Sequence, residues 1–273
     1  MATESWVVTG PQVIEIDEVA ALRVQVVRGR VDVVAHADPA QRGVRLEVHA
    51  VVGRPLEVSL AEGELRVGYA YTLGGWDSFI DSFRAFGDSV SADVHIAVPR
   101  DLAVRLGTVG AESLLAGVEQ DASVATVSGG VVTDGTRGAL SARSVSGDVV
   151  VRGHAGDLRF TSVNGDLTAA GDLTRVLANT VAGEVSVDVP TESASLSLTT
   201  VSGHATVRLP PGRGLRVEAR SVAGRVVVDG RRHSGSGPHQ TNVDLPGEGS
   251  CFISCSTVSG HLTVLRGGQH QGA

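Results

Sequence analysis

The segment Leu140-Ser-Ala-Arg-Ser144-Val145-Ser146-Gly147-Asp148-Val149-Val150-Val151 decides how this chain folds. Its apolar residues share the parity of Ser144 before the tetrapeptide that ends at Gly147, and the parity of Val145 after it. Side chains alternate between the two faces of a strand, so this change of phase indicates a corner between two sheets that share one interior. The segment therefore predicts two short strands joined by a β-arc, with glycine at a close backbone approach.

The tetrapeptide (Ser/Thr)-Val-(small)-Gly occurs seven times in the chain. Its glycines are Gly129, Gly147, Gly165, Gly183, Gly203, Gly224 and Gly260, separated by 18, 18, 18, 20, 21 and 36 residues. A near-constant period is typical of repeat architectures, in which each unit buries its apolar face by stacking on its neighbours. We therefore expect a ladder of seven hydroxyls and a ladder of seven valines, both facing the interior.

An antiparallel hairpin at each Val-x-Gly is the alternative, but only Asn164-Gly165 provides a suitable two-residue turn. One coil buries about four Val or Leu side chains, worth roughly 1.5–3 kcal/mol each. Ordering its residues costs roughly 1–2 kcal/mol apiece in backbone entropy, so the coils must stack. We predict an all-β parallel β-solenoid with about 18 residues per coil, preceded by a short-stranded β region and one short amphipathic helix.

The N-terminal third alternates apolar and polar residues in short strands but lacks the tetrapeptide. It is either a small β-sandwich-like domain or a set of degenerate first coils. A degenerate copy, Ile96-Ala-Val-Pro99 followed by Thr108-Val109-Gly110, places the start of the repeat near Ser91. We predict an N-terminal β region over 1–90, a repeat domain over 91–268 and a disordered tail over 269–273.

One segment changes its apolar period from 2 to 3.6 and is bounded by glycines. Its apolar residues fall on one face of a helix over 76–86: Trp76, Phe79, Ile80, Phe83 and Phe86. The helix could cap an open end of the stack or bind a protein partner or a second copy. Asp77, Asp81 and Asp88 against Arg84 alone argue against membrane insertion.

An insertion over 229–239 interrupts the period between two strands. Insertions in repeat proteins often carry binding function. Arg231, Arg232, His233 and His239 could receive an anion there. A flexible loop without function is the alternative.

The residue after each motif glycine points outward, and it is Asp148, Asp166 and Glu184 in three successive copies. Parallel stacking would put these carboxylates about 4.8 Å apart, close enough to share Ca²⁺, or they could form a solvated edge. His204 and His261 hold the same repeat position, but we expect the coil of Arg225 to separate them in the stack, so we expect no shared metal. Cys251 and Cys255 share the inward parity and are expected to be buried thiols. No cofactor is expected.

The composition and the missing motifs argue against several classes of function. A net charge of −7 opposes binding to nucleic acid or anionic lipid. The chain lacks lysine, a catalytic Gly-x-Ser-x-Gly motif, a phosphate loop and a dinucleotide fingerprint, so we expect no enzyme. The sequence shows no signal peptide and no apolar stretch of membrane-spanning length, and we expect a cytoplasmic protein.

The tandem pattern Val-x-(Val/Leu)-Pro, a strand, then (Thr/Ser)-Val-Ser-Gly resembles the bacterial putative-adhesin family of β-strand repeat proteins, over residues 91 to 265. The resemblance implies a right-handed β-helix without assigned activity, often exported or membrane-anchored, although this chain shows no export signal. We expect a non-enzymatic scaffold or protein-interaction module. A polymer-forming structural protein like the bactofilins is the second hypothesis, and a carbohydrate-active β-helix enzyme is the third.

Overall fold

The computed structural model describes residues 4–38, 41–69, 90–233 and 238–267. The chain forms two compact units, Met1–Leu140 and Ser141–Ala273. The described residues form strands β1 to β24 and contain no helix. Among them, therefore, no helix is long and apolar enough to cross a bilayer.

The first unit contains twelve of these strands and the start of a thirteenth. Their bounds are β1 Glu4–Val8, β2 Gln12–Ile16, β3 Ala21–Val26, β4 Gly29–Ala35, β5 Val44–Val52, β6 Leu56–Ala61, β7 Glu64–Gly68, β8 Ser91–Val98, β9 Ala103–Thr108, β10 Glu112–Ala116, β11 Ala122–Thr126, β12 Val131–Asp134 and β13 Arg137–Ser144.

Two series of neighbouring strands make up the first unit. One series is β1–β6–β7–β3–β9–β11, and the other is β2–β5–β8–β4–β10–β12. The pairs β1–β6, β6–β7, β2–β5 and β5–β8 are antiparallel, whereas the remaining pairs in each series are parallel. Strands β3 and β4, which lack the tetrapeptide, therefore pair in parallel with strands from the repeat.

The second unit contains the end of β13 and the other strands. Their bounds are β14 Val149–Ser162, β15 Leu167–Thr180, β16 Val185–Asp188, β17 Ser193–Thr200, β18 Ala205–Leu209, β19 Arg213–Ser221, β20 Val226–Val228, β21 Arg231–His233, β22 His239–Leu245, β23 Glu248–Thr257 and β24 Leu262–Arg266.

Two series also make up the second unit, and the long, bulged strands β14 and β15 contribute to both. One series is β14–β15–β17–β23–β19–β22, and the other is β14–β15–β16–β18–β24–β20–β21. Only the last pair of each series, β19–β22 and β20–β21, is antiparallel among these strands. Asp229 and Gly230 both have positive φ, 48° and 76°, and make the tight turn between β20 and β21.

The last two copies of the repeat do not follow chain order. Strand β23 lies between β17 and β19, and β24 lies between β18 and β20. The hairpin return through β21 and β22 reverses the chain, and the final copy then inserts beside the fourth copy of this unit. The spatial order of the motif glycines is therefore Gly147, Gly165, Gly183, Gly203, Gly260 and Gly224.

The prediction of a right-handed parallel β-solenoid is wrong, although the all-β class is confirmed. The sheet is mixed, with antiparallel pairs in both units. The alternation of apolar residues around the tetrapeptide indicates that copies of the repeat pair in parallel. It carries no information about strands outside the motif, and those strands supply most of the antiparallel pairs. The predicted helix over 76–86 lies outside the described residues.

The corner at each tetrapeptide is held by its own hydroxyl. The glycine amide donates to the Ser or Thr three residues earlier in five copies: Gly165 to Ser162 at 2.8 Å, Gly183 to Thr180 at 3.1 Å, Gly203 to Thr200 at 2.8 Å, Gly224 to Ser221 at 2.7 Å and Gly260 to Thr257 at 2.8 Å. In an earlier copy the Ser144 hydroxyl donates to the Gly147 carbonyl. All seven motif hydroxyls are buried, as predicted.

The motif valines of the second unit are exposed, so their predicted inward orientation is wrong. The hydroxyl and the glycine both face the core, and the two residues between them must therefore turn outward. This two-residue turn produces the change of phase seen in the sequence. The alternation of buried and exposed side chains resumes only at the glycine. Leu158, Phe160, Val176 and Leu196 then fill the interior and are fully buried.

Candidate functional site

An exposed row of apolar side chains follows the corners of the second unit. In spatial order its members are Val145, Val163, Val181, Val201, Val258 and Val222, which we call the valine ladder. Each valine is between 37% and 48% exposed. The carbonyl of each valine but the last accepts the amide of the next copy, at 2.8 to 2.9 Å, which holds the row in register. The alternation of apolar residues in the sequence predicts, in contrast, that these side chains face the core.

A groove of about 510 Å³ adjoins one end of the valine ladder. Val201, Val258 and Val222 form one side, and Pro238, His239 and Gln240 line it at the start of β22. The surface of the groove is mostly apolar, although Thr and Ser residues of the adjoining strands also line it. Of the predicted site residues that the structure describes, His239 is the one that lines this groove.

A second row runs beside the valine ladder, just past the motif glycines. In spatial order it contains Asp148, Asp166, Glu184, His204, His261 and Arg225, which we call the acceptor row. Asp148 Oδ1 accepts the Asp166 amide at 3.1 Å, and Asp166 Oδ1 accepts the Glu184 amide at 2.7 Å. The carboxylates therefore lie in neighbouring copies as predicted, and backbone amides occupy these two acceptor oxygens.

Further along the acceptor row, histidine nitrogens take the place of the carboxylate oxygens and accept the amide of the next copy. His204 Nδ1 accepts the His261 amide at 3.3 Å, and His261 Nδ1 accepts the Arg225 amide at 3.0 Å. The two imidazole rings stack with centroids 4.8 Å apart and planes 14° from parallel. The prediction that Arg225 separates the two histidines is wrong, because the final copy inserts between the copies that hold His204 and Arg225.

The acceptor row changes character along its length, from three carboxylates to two imidazoles and a guanidinium. Arg225 Nη2 lies 3.1 Å from His261 Nε2. Burial, the Arg225 charge and His204 together lower the pKa of His261 below its ordinary value of 6.5. The lowered pKa favours the neutral form of His261, which its acceptor role requires.

The remaining predicted anion ligands lie on and beside the β20–β21 hairpin. Arg231 and Arg232 are exposed on β21, and His233 is half-buried at its end. Arg232 lies directly opposite Val227, which points outward two residues after Arg225. Residues 229–233 of the predicted insertion thus form the turn and second strand of a hairpin, and Asp229 at its turn pairs with Arg266 at 2.7 Å.

The aromatic residues predicted as an interaction surface, Trp76 to Phe86, lie outside the described residues. Cys251 and Cys255 are free and buried, as predicted, and burial raises the pKa of each thiol to about 11. Within the described ranges, no three His, Cys, Asp or Glu side chains cluster as metal ligands.

No known family model and no curated protein matches this chain. Solved bacterial structures do resemble it. They include a putative adhesin from Bacteroides fragilis, 11% identical over 97% of both chains with a TM-score of 0.44. A putative cell adhesion protein from Clostridium sporogenes is 9% identical over 94% of this chain and all of its own, with a TM-score of 0.34. A putative lipid binding protein from Parabacteroides distasonis is 11% identical over 94% of this chain and 97% of its own, with a TM-score of 0.41. Similarity at this level does not transfer a function.

Proposed function

We propose that this protein is a non-enzymatic interaction module that self-associates through the valine ladder. The exposure of all six valines in one continuous row supports this proposal. Single exposed apolar residues are normal on a soluble protein, but a contiguous apolar row indicates an interaction surface. Six copies at a strand spacing of about 4.8 Å give a row about 24 Å long.

A second copy is the partner that the pattern favours. Every valine is held at the same strand spacing, so two ladders side by side match each other along their length. The adjacent acceptor row adds charge complementarity, since its carboxylates and its histidines with Arg225 occupy opposite ends. In a two-fold pair with antiparallel ladders, the acidic end of each row lies alongside the basic end of the other.

The test is the mass of the full chain in solution as a function of concentration. We expect light scattering and sedimentation to show a transition from 28.0 kDa to twice that mass. The triple substitution Val163→Ser, Val181→Ser and Val201→Ser should keep the protein monomeric over the same range. Burial of these valines at the interface is lost, while the fold should be retained because the side chains are exposed in the monomer.

A matched control makes the same chemical change elsewhere. Val7, Val13 and Val52 are 66%, 53% and 59% exposed in the first unit, and their triple serine variant should dimerise like the unmodified protein. A chain that remains monomeric at high concentration refutes the proposal, as does equal loss of dimer in the control variant. Open-ended growth into filaments would also refute a closed pair and would favour the bactofilin-like hypothesis.

The absence of enzymatic activity, the cytoplasmic location and the lack of a nucleic-acid partner stay predictions. Each has a direct measurement: hydrolysis assays on a panel of polysaccharides, fractionation of the source cells, and electrophoretic mobility of nucleic acid mixed with the protein.

A further inference from the structure

The hydrogen bonds of the acceptor row determine where the imidazole protons lie. His204 Nδ1 and His261 Nδ1 each accept a backbone amide, so neither nitrogen carries a proton. A neutral imidazole carries one N–H, and here it must be on Nε2 in both rings. The two stacked rings therefore present two N–H donors side by side on the surface.

Arg225 adds further donors at the same place. Its Nη2 lies 3.1 Å from His261 Nε2, and both nitrogens carry hydrogen in this tautomer. Two donors cannot hydrogen-bond to each other, so this contact is favourable only when an acceptor lies within reach of both. Among the described residues, Arg225 forms no ion pair with an acidic side chain.

Strand pairing places another cation on the same face. Arg232 stands opposite Val227, diagonal to Arg225, and diagonal neighbours on a sheet face lie about 7–8 Å apart. Thr263 lies next to Val227 in the other direction, with its hydroxyl on this face as well. Glu184 is the neighbouring acid, beyond His204, so an anion is best placed towards the Arg225 end.

We propose that His261, Arg225 and His204 form a binding site for a phosphate-class oxyanion, with Arg232 as an additional cation. One oxygen would accept from His261 Nε2 and Arg225 Nη2 together, and a second would accept from His204 Nε2. Charge-assisted bonds from guanidinium to phosphate are the strong members of such a set. A divalent cation is disfavoured because the Arg225 charge lies beside His261 Nε2.

This inference goes beyond the proposed self-association and does not depend on it. The carboxylates of a second copy are also oxyanions, so phosphate and a second copy would compete for the same donors. The experiment therefore uses the monomeric triple serine variant at low concentration. If the unmodified chain proves to be monomeric, it serves equally well, so failure of one proposal leaves the other testable.

The probe is inorganic phosphate added to ¹⁵N-histidine-labelled protein at constant ionic strength. Long-range ¹H–¹⁵N spectra should show the Nε2–H tautomer for both rings and a saturable shift of the His261 signals. Arg225→Gln should weaken this binding at least about tenfold, because the charged donor is lost. Arg159→Gln, an equal charge change at an exposed position of β14, should alter it by less than about twofold.

Several outcomes would overturn the site. These are an Nδ1–H tautomer for His261, a shift that never saturates, or equal weakening in the Arg225 and Arg159 variants. A second arm uses phosphatidylcholine vesicles that contain phosphatidic acid. Binding that depends on Arg225 with vesicles as well as with free phosphate shows that the site accepts a lipid phosphate, and binding to free phosphate alone identifies a soluble ligand.

Discussion

The motif hydroxyls and the valine ladder lie one residue apart in the sequence, at the same corners of the second unit. The hydroxyls are nevertheless buried, and the valines are exposed. Thr200 is 5% exposed, whereas Val201 is 46% exposed. The buried hydroxyl accepts the amide of Gly203, which has turned inward and would otherwise lack a partner. An unpaired buried amide costs about 1–3 kcal/mol. Because Val201 is 46% exposed, turning it outward loses only part of the roughly 1.5–3 kcal/mol that full burial would contribute.

The glycine that closes the corner should be the least replaceable residue in this comparison. A Cβ at Gly183 would lie closer to the carbonyl oxygen of Gly165 than any real Cβ contact. We expect Gly183→Ala to lower the free energy of unfolding by about 3 kcal/mol or more, measured by urea denaturation. Gly10→Ala, which meets nothing within 4 Å, should change it by less than about 0.5 kcal/mol.

Removing the buried hydroxyl should have the next largest effect. Thr200→Val keeps the shape of the side chain but leaves the Gly203 amide without its acceptor. We expect a loss of about 1–3 kcal/mol in unfolding free energy by the same measurement. Thr168→Val on an exposed face of β15 makes the identical change and should be close to neutral. Equal effects at the two positions would show that the hydroxyl does not hold the corner.

The stability cost of the same substitution can be compared at a buried valine and at an exposed valine. Val187 is fully buried on β16 and Val181 is 46% exposed in the ladder. Val187→Thr should cost about 1–3 kcal/mol because it buries a hydroxyl. Val181→Thr should cost less than about 0.5 kcal/mol in a monomer. A large cost for Val181→Thr would indicate that the ladder already contributes to folding stability.

The smallest expected effect concerns the histidine end of the acceptor row. The pKa of His261 is lowered in the folded state, so the unfolded chain binds its proton first as the pH falls. The contribution of His261 to stability is therefore fully present above its ordinary pKa of 6.5 and decreases as the pH drops below that value. His261→Asn keeps an acceptor for the Arg225 amide but does not titrate. Its melting temperature should fall less than that of the unmodified protein between about pH 7.5 and about pH 5.5.

Several features of the site were accessible from the sequence. The row of Asp148, Asp166 and Glu184 follows from the 18-residue spacing, and the burial of Cys251 follows from its parity. The contact between His204 and His261 does not, because it depends on where the last copy inserts. One signal was present: a gap of 36 residues before the last copy, with Asp229-Gly230 inside it, is typical of a hairpin that reverses the chain.

The sequence by itself determined the all-β class, the positions of the corners, the buried hydroxyls and the parallel pairing between most successive copies. These features are local or periodic, and both the alternation along a strand and the constant spacing can be read from the order of the residues alone. Only the tertiary structure decided that the sheet is mixed, that the final copy lies between two earlier ones, and that the valines face solvent. Those features depend on which backbone groups meet across long sequence separations. At every corner described in the second unit, the motif hydroxyl bonds the backbone of the inward-turned glycine, at its amide in five copies and at its carbonyl in the copy of Gly147. This hydrogen bond, rather than the hydrophobicity of the neighbouring valine, determines the orientation of the corner.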